Sequence, residues 1–145
     1  MRAVRALGLD LGSKRIGVAV SSGTLATPYE VVERGDDRAR ILELIEETGA
    51  TVVVVGLPYS LDGSKGPAAR LVEAEVDELR AALSVPVELW DERFSTVTAH
   101  QSLMEQKMKA DARRRVVDKV AAAVMLQSWL DAQPRLWDGS TRNPG

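Results

Sequence analysis

Residues 51–55 read Thr-Val-Val-Val-Val, an unbroken run of β-branched side chains. Such side chains favour extended backbone. A short strand without polar alternation is typical of a strand that is buried on both of its faces. A sheet that contains such a strand must be covered by other elements on each side. We therefore expect an α/β protein in which helices pack on both faces of a sheet.

Strand and helix patterns on either side of this run complete the architecture. The expected elements are strands at 4–11, 16–20, 27–32, 51–55 and 85–90, and helices from Asp36 or Asp37 to Gly49, from 63–67 onward, from Ser95 or Thr96 to about Lys107, and at 111–130. A turn at 12–15 makes the first two strands a hairpin, and residues 56–58 are expected to break the 51–55 strand. This order predicts a mixed five-stranded sheet, three antiparallel strands followed by βαβ units, flanked by helices.

Helical spacing identifies the side chains that the first two helices should bury. They are Ile41, Leu42, Leu44 and Ile45 in the first helix, and Ala69, Val72, Val76, Leu79 and Leu83 in the second. These apolar faces are expected to cover the sheet.

Length and composition limit the class of protein. The 145 residues suit one domain, which we expect to span 1–133 with a flexible tail at 134–145. No apolar run reaches the roughly 20 residues of a membrane helix, and the N-terminal segment lacks the apolar stretch of a signal peptide. We therefore expect no membrane association. The chain has no cysteine, which excludes disulfides and thiolate metal sites.

Positive charge is concentrated in one part of a chain whose formal net charge is −2. Five basic side chains fall within nine residues: Lys107, Lys109, Arg113, Arg114 and Arg115. Such a stripe can bind phosphates even on an acidic protein. A solvated helix face is the alternative explanation of the same run.

Two acidic residues follow strands at positions where a site can form. Asp10 ends a mostly apolar strand, and an unpaired buried carboxylate there would cost several kcal/mol. It could also cap the hairpin turn. Glu92 follows the last strand, and open α/β sheets place their sites at the carboxyl ends of parallel strands. An ion pair of Glu92 with Arg93, and a site role for Asp91, stay open.

Asp118 has the most informative surroundings of any acid in the chain. Residues 116–126 are apolar almost all round, which predicts a largely buried helix. Asp118 shares a helix face with Ala121, Ala122 and Met125, and the small alanines allow a close approach to a sheet. A bound cation or a buried arginine would account for an acid on this face.

The predicted topology can bring Asp10, Glu92 and Asp118 together, because they lie on the first strand, the last strand and the last helix. Clustered carboxylates repel one another unless a hard cation neutralises them, and oxygen ligands suit Mg²⁺ or Mn²⁺. Two such ions, roughly 3.5–4 Å apart, can activate a water and stabilise the leaving oxygen of a phosphodiester. A histidine zinc site is not expected, since His100 is the single histidine.

Four segments resemble, in order and spacing, the motifs of the YqgF/RuvX family of RNase H-like nucleases. They are GLDLGSKRIGVA at 8–19, GLP, DGS and GP within 56–67, DERFST at 91–96, and VDKVAA with LQ within 117–127. The resemblance covers nearly the whole chain. One departure is Ser22, which stands where the family often carries an acid.

The resemblance implies an RNase H-like fold and divalent-metal-dependent cleavage of phosphodiester bonds, with Asp10, Glu92 and Asp118 as metal-binding catalytic acids. It also implies a cytoplasmic bacterial protein that acts on nucleic acid. Two substrates are associated with the family, namely the 5′ end of precursor 16S rRNA and four-way (Holliday) DNA junctions. A junction has two-fold character, so a resolvase is expected to act as a homodimer.

Basic side chains near the three acids are candidates for holding substrate phosphates. They are Lys14, Arg15, Lys65, Arg93, Arg113, Arg114 and Arg115. Two other functions remain open at this point. One is a non-catalytic nucleic-acid-binding or ribosome-assembly factor with an unused acid cluster. The other is an ATP-using protein of the actin and sugar-kinase type, which needs two lobes where 145 residues supply one.

Overall fold

The structure, a computed structural model, describes residues 5–58, 64–92 and 110–133, with side chains of the last segment from 116 onward. Its elements are β1 (Ala6–Leu11), β2 (Arg15–Ser22), β3 (Leu25–Glu33), α1 (Asp37–Thr48), β4 (Val52–Leu57), α2 (Pro67–Ala82), β5 (Val87–Asp91) and α3 (Ala110–Asp131). Each was expected from the sequence, within about two residues at its described ends. The helix expected from Ser95 or Thr96 to Lys107 and the tail at 134–145 lie outside the described residues.

The strands form one mixed sheet in the order β3-β2-β1-β4-β5. β1 pairs with β2, and β2 with β3, in antiparallel fashion. β4 lies parallel to both β1 and β5. The predicted arrangement of three antiparallel strands followed by βαβ units is therefore confirmed, and the carboxyl ends of β1, β4 and β5 meet at one edge of the sheet.

The β-branched strand β4 is buried along its whole length, as its sequence predicted. Val53 and Val55 pack in the core under α1 and α2, whereas Val54 packs in the core under α3. The expectation that residues 56–58 break this strand was wrong for the first two. The pairing with β5 continues through Gly56 and Leu57, and the strand ends only before Pro58, which has no backbone N–H to donate.

Local signals fix the ends of α1. Gly49 adopts a left-handed conformation (φ 71°), and its N–H donates to the carbonyl of Ile45. At the other end Asp36 occupies the N-cap position without capping through its side chain. The carboxylate of Asp37 instead accepts a hydrogen bond from the N–H of Gly35 at 3.0 Å.

The two helices on the first face bury the side chains that their spacing indicated, with one exception. The buried residues are Ile41 and Leu44 of α1, Ala69, Val72, Val76 and Leu79 of α2, and Leu83 at the end of α2. Ile45 is partly buried against the same core. The prediction for Leu42 was wrong, since 44% of it is exposed. Leu42 follows Ile41 by one residue, so the 3.6-residue turn rotates its side chain away from the sheet.

Helix α3 covers the opposite face of the sheet at very short range. Ala121, Ala122 and Met125 are buried there, as predicted. Gly17 of β2 has no side chain between the sheet and the helix, and a methyl group at this position would overlap the backbone carbonyl of Asp118. Glycine is thus required at position 17 because the α3 backbone itself lies against β2.

Polar side chains tie α3 to both sides of the sheet. The amide oxygen of Gln127 accepts a hydrogen bond from the N–H of Ala26 on β3 at 2.9 Å. The indole N–H of Trp90 on β5 donates to the hydroxyl of Ser128 at 3.0 Å. These contacts, made across the whole width of the sheet, fix the helix that carries Asp118. None of the helices in the described segments has the length and apolar character needed to span a membrane.

We expect the substitution Gly17→Ala to destabilise the protein by about 2–4 kcal/mol, because the added methyl group must push α3 away from β2. Urea unfolding measures this change. The control is Ser22→Ala at the exposed end of β2, which should alter the free energy of unfolding by less than about 0.5 kcal/mol. Equal stability of the Gly17→Ala variant and the unsubstituted protein would contradict the close helix contact.

Candidate active site

Asp10 lies on the sheet face that α3 covers. Along β1, Leu7 and Leu9 pack in the core under α1 and α2. Strand side chains alternate between faces, so Asp10 points to the α3 side. The residue as a whole is partly buried.

Glu92 lies on the same face as Asp10, and Asp91 does not. Along β5, Leu89 packs in the core under α1 and α2, whereas Trp90 packs against the α3 core. By alternation Asp91 faces the α1 and α2 side and Glu92 faces the α3 side. Of the two neighbouring acids that the sequence left open, the geometry favours Glu92 as the partner of Asp10.

Gly56 on β4 makes room for the carboxylate of Glu92. A methyl group at Gly56 would lie 2.7 Å from Oε2 of Glu92 and 3.0 Å from its Cγ. The sequence predicted that this glycine would end a strand. In the structure it instead leaves a gap in the sheet surface between the strands of Asp10 and Glu92. The gap exists because glycine has no side chain.

Asp118 reaches the site from α3 and is held by Arg15 at the start of β2. The Nε of Arg15 donates to Oδ2 of Asp118 at 2.8 Å. The side chains are 20% and 27% exposed, so the pair is shielded from solvent over most of its surface. An arginine partner was one of the two explanations that the sequence offered for an acid on this helix face.

The electrostatics show that Glu92 and Asp118 act on Asp10. Burial, followed by the negative charges of Glu92 and Asp118, raises the pKa of Asp10 to about 7. Burial and the charge of Asp91 raise the pKa of Glu92. Asp10 is therefore the acid that gives up its proton with most difficulty, since its carboxylate would face two others in a partly desolvated place.

A polar cleft of about 370 Å³ opens beside Asp118 and is lined by this residue and by Gly12, Ser13, Lys14 and Arg15. The turn that forms it is closed by a hydrogen bond from the N–H of Gly12 to the carbonyl of Arg15 at 2.9 Å. Two of the predicted phosphate-binding residues, Lys14 and Arg15, thus lie together at the mouth of the site.

The other predicted phosphate-binding residues are placed differently. Lys65 forms an ion pair with Glu73 of α2, with a distance of 2.6 Å. Arg93 and the side chains of Arg113, Arg114 and Arg115 lie outside the described residues. The backbone of the last three belongs to α3 and precedes Asp118 by one helical turn.

The donor set fits a hard divalent cation in its chemistry. Asp10, Glu92 and Asp118 offer carboxylate oxygens, and the negative charges of Glu92 and Asp118 add to burial in raising the pKa of Asp10. Within the described residues, however, no three acidic or imidazole groups are gathered closely enough to hold an ion. Arg15 donates to Oδ2 of Asp118, so a cation that uses all three acids would bind the other oxygen of this carboxylate or displace the arginine.

We expect Asp10→Asn to stabilise the protein in the presence of a chelator, and more so at high pH. Folding raises the pKa of Asp10 from 3.8 to about 7, so the folded state binds more protons than the unfolded chain in this range and loses stability as pH rises. Asparagine removes this loss. The gain in free energy of unfolding should be about 1–3 kcal/mol at pH 8 and smaller at pH 5.

Urea unfolding at both pH values, with chelator present, measures this gain. Asp77→Asn is the matched control, because Asp77 is 79% exposed on α2 and its removal should change the free energy of unfolding by less than about 0.5 kcal/mol. A gain for Asp10→Asn that does not depend on pH would show that Asp10 has no raised pKa.

Comparison with known proteins identifies the family of this chain. The model of a family described as "RuvX: Holliday junction resolvase" matches residues 4–132. A protein of Pelotomaculum thermopropionicum is 45% identical over 98% of this chain and 97% of its own length, and one of Myxococcus xanthus is 46% identical over 89% of each chain. Both carry the name "Putative pre-16S rRNA nuclease".

The fold also has a relative among solved structures. RuvC of Thermus thermophilus, in complex with a Holliday junction substrate, superimposes with a TM-score of 0.54 at 15% identity, over 88% of this chain and 95% of that one. At this identity the likeness concerns the fold alone, which is the RNase H-like fold that the sequence motifs implied. With the family match over almost its whole length, the chain belongs to the RuvX family of nucleases.

Proposed function

We propose that this protein is a divalent-metal-dependent endonuclease that cleaves phosphodiester bonds of structured nucleic acid. The observation that carries the proposal is the placement of Asp10, Glu92 and Asp118 on one sheet face, where burial and then the charges of Glu92 and Asp118 raise the pKa of Asp10 to about 7. Such a cluster has an unfavourable energy without a cation, which suits a site whose charge is completed by Mg²⁺ or Mn²⁺.

In this proposal Asp10, Glu92 and Asp118 hold the metal, as one ion or a pair. A bound divalent ion lowers the pKa of a water molecule and stabilises the leaving oxygen of a phosphodiester. Asp10 must lose its proton to act as a ligand. Gly56 keeps the carboxylate of Glu92 in place, and the packing of α3 on β2 does so for Asp118.

The cleft beside the acids is suited to a phosphodiester backbone. It is lined by Lys14, Arg15 and the polar turn at 12–13, and cationic side chains that border a carboxylate site can hold phosphate oxygens. The basic residues Arg113, Arg114 and Arg115 extend this positive region along α3 in our proposal. The names of the relatives direct the choice of substrate to two nucleic acids, precursor 16S rRNA and Holliday junctions.

Cleavage of both substrates in Mn²⁺, measured side by side, tests the proposal. We expect cutting of at least one, and a loss of about 100-fold or more for Asp10→Asn, Glu92→Gln and Asp118→Asn. Asp91→Asn is the matched control for Glu92→Gln, because Asp91 faces the other side of the sheet, and it should retain activity within about fivefold. Inactivity on both substrates, or full activity of the Asp10→Asn and Asp118→Asn variants, would refute the proposal.

The oligomeric state, measured by light scattering on the same samples, helps to distinguish junction resolution from rRNA processing. A junction presents two equivalent strands to be cut, so we expect a homodimer if the protein resolves junctions. A monomer that trims only precursor rRNA would assign the protein to rRNA processing.

A non-catalytic nucleic-acid-binding or ribosome-assembly factor is the second candidate. The ion pair between Arg15 and Asp118 favours it to some degree, since this pair engages one of the three acids without any metal. Calorimetric titration with Mn²⁺ separates the candidates. Absence of binding up to millimolar concentration would support the non-catalytic role.

We expect Gly56→Ala to reduce cleavage at least tenfold, because the methyl group would displace the carboxylate of Glu92. Gly8→Ala is the matched control. Its methyl group would lie 3.0 Å from Leu126 of α3. This substitution therefore crowds the same interface between the sheet and α3, but it contacts none of the acids. Initial rates at a temperature where both variants are folded should fall for Gly56→Ala alone. Equal rates would show that Gly56 does not position Glu92.

A further inference from the structure

The ion pair between Arg15 and Asp118 connects two elements that are 103 residues apart in the chain. The backbone of Arg15 is fixed on one side by its carbonyl, which accepts from Gly12, and on the other by its place at the start of β2. The backbone of Asp118 is fixed by the contact of α3 with Gly17. Both partners therefore start from rigid positions, and their side chains meet in a defined geometry.

Arg15 occupies one oxygen of a carboxylate that we propose as a metal ligand. Its Nε lies 2.8 Å from Oδ2 of Asp118. A Mg²⁺ ion binds oxygen at about 2.0–2.1 Å, and a guanidinium that donates to the same carboxylate would be repelled by the ion. Arg15 and a cation at Asp118 therefore oppose each other through the repulsion of their like charges.

The guanidinium of Arg15 also has access to a second binding position, in the polar cleft. Arg15, Lys14 and Ser13 line the polar cleft next to Asp118. A guanidinium that leaves Asp118 stays within this cleft, because its backbone is held by the turn. Arginine pairs with a phosphate as readily as with a carboxylate, through parallel N–H donors.

We propose that Arg15 is a positioning residue that competes with the divalent cation for Asp118: it holds this carboxylate in the metal-free protein and turns to a substrate phosphate when the cation binds. The inference rests on the proposed function. It adds that metal binding and phosphate binding are linked through one side chain, so that each favours the other.

Calorimetric titration of the metal-free protein with Mn²⁺ tests the competition directly. Removal of the competitor in Arg15→Gln should lower the Kd for Mn²⁺ by about five- to tenfold. Lys14→Gln is the matched control, since it removes the same charge from the same turn but from a residue with no described contact to Asp118. It should change the Kd by less than about twofold. Arg15→Lys restores the charge and should return the Kd toward that of the unsubstituted protein.

The outcomes separate this inference from the proposed function. Metal binding that Asp118→Asn weakens but that is unchanged, or weakened, in Arg15→Gln overturns the competition and leaves the metal site in place. Equal changes in Arg15→Gln and Lys14→Gln also overturn it, because they would show an effect of net charge alone. Absence of Mn²⁺ binding in every variant overturns the proposed function and this inference together.

Thermal unfolding supplies a readout for variants of low stability. If Arg15 competes with the cation, Mn²⁺ must raise the Tm of Arg15→Gln by more than it raises that of the unsubstituted protein. A merely structural arginine would lower both the metal-free and the metal-bound Tm equally. Should Arg15→Gln not fold, Arg15→Met, which keeps an unbranched side chain without the charge, replaces it in the same comparison. A larger Mn²⁺-induced rise in Tm than in the unsubstituted protein is expected, and an equal rise overturns the inference.

Discussion

The contact between α3 and the sheet is the constraint on which the rest of the structure depends. At Gly17 the helix backbone touches β2 directly, and at Gly8 a side chain of α3 sits on β1. Interiors pack at nearly crystalline density, so this short separation leaves no freedom in the height of α3 above the sheet. Asp118 is part of the contact. Its carboxylate therefore has a position set by two glycines that carry no chemistry themselves.

Burial of the acids has a cost in stability that the fold accepts. An uncharged residue in place of Asp10 would avoid the burial of a carboxylate near two other acids, which raises the pKa of Asp10 to about 7. Natural proteins break the rules of stable design mainly at functional sites. The surrounding layers compensate with cores that follow those rules closely, among them the wholly buried strand β4.

The spacing of apolar residues and the residues that end helices and strands were enough to predict the elements and the sheet, because both are local signals. The β-branched run gave the central strand, and Gly49 ended α1 by its left-handed conformation. The acids on their three elements were also identified. Sequence order could not reveal the partner of Asp118, since Arg15 lies 103 residues away. Nor could it explain Gly56, whose value lies in a space that only the neighbouring strand β5 defines.

Two of the acids are neutralised in different ways. Asp10 lies on the sheet, where burial and the charges of Glu92 and Asp118 raise its pKa, so a proton neutralises its carboxyl. Asp118 lies on the helix at the open side of the site, where Arg15 reaches it from the turn. In the proposed function a divalent cation would replace both devices, because its charge would displace the proton of Asp10 and oppose the guanidinium at Asp118. Without a cation, the proton and the arginine offset part of the charge that these two acids bring to the site.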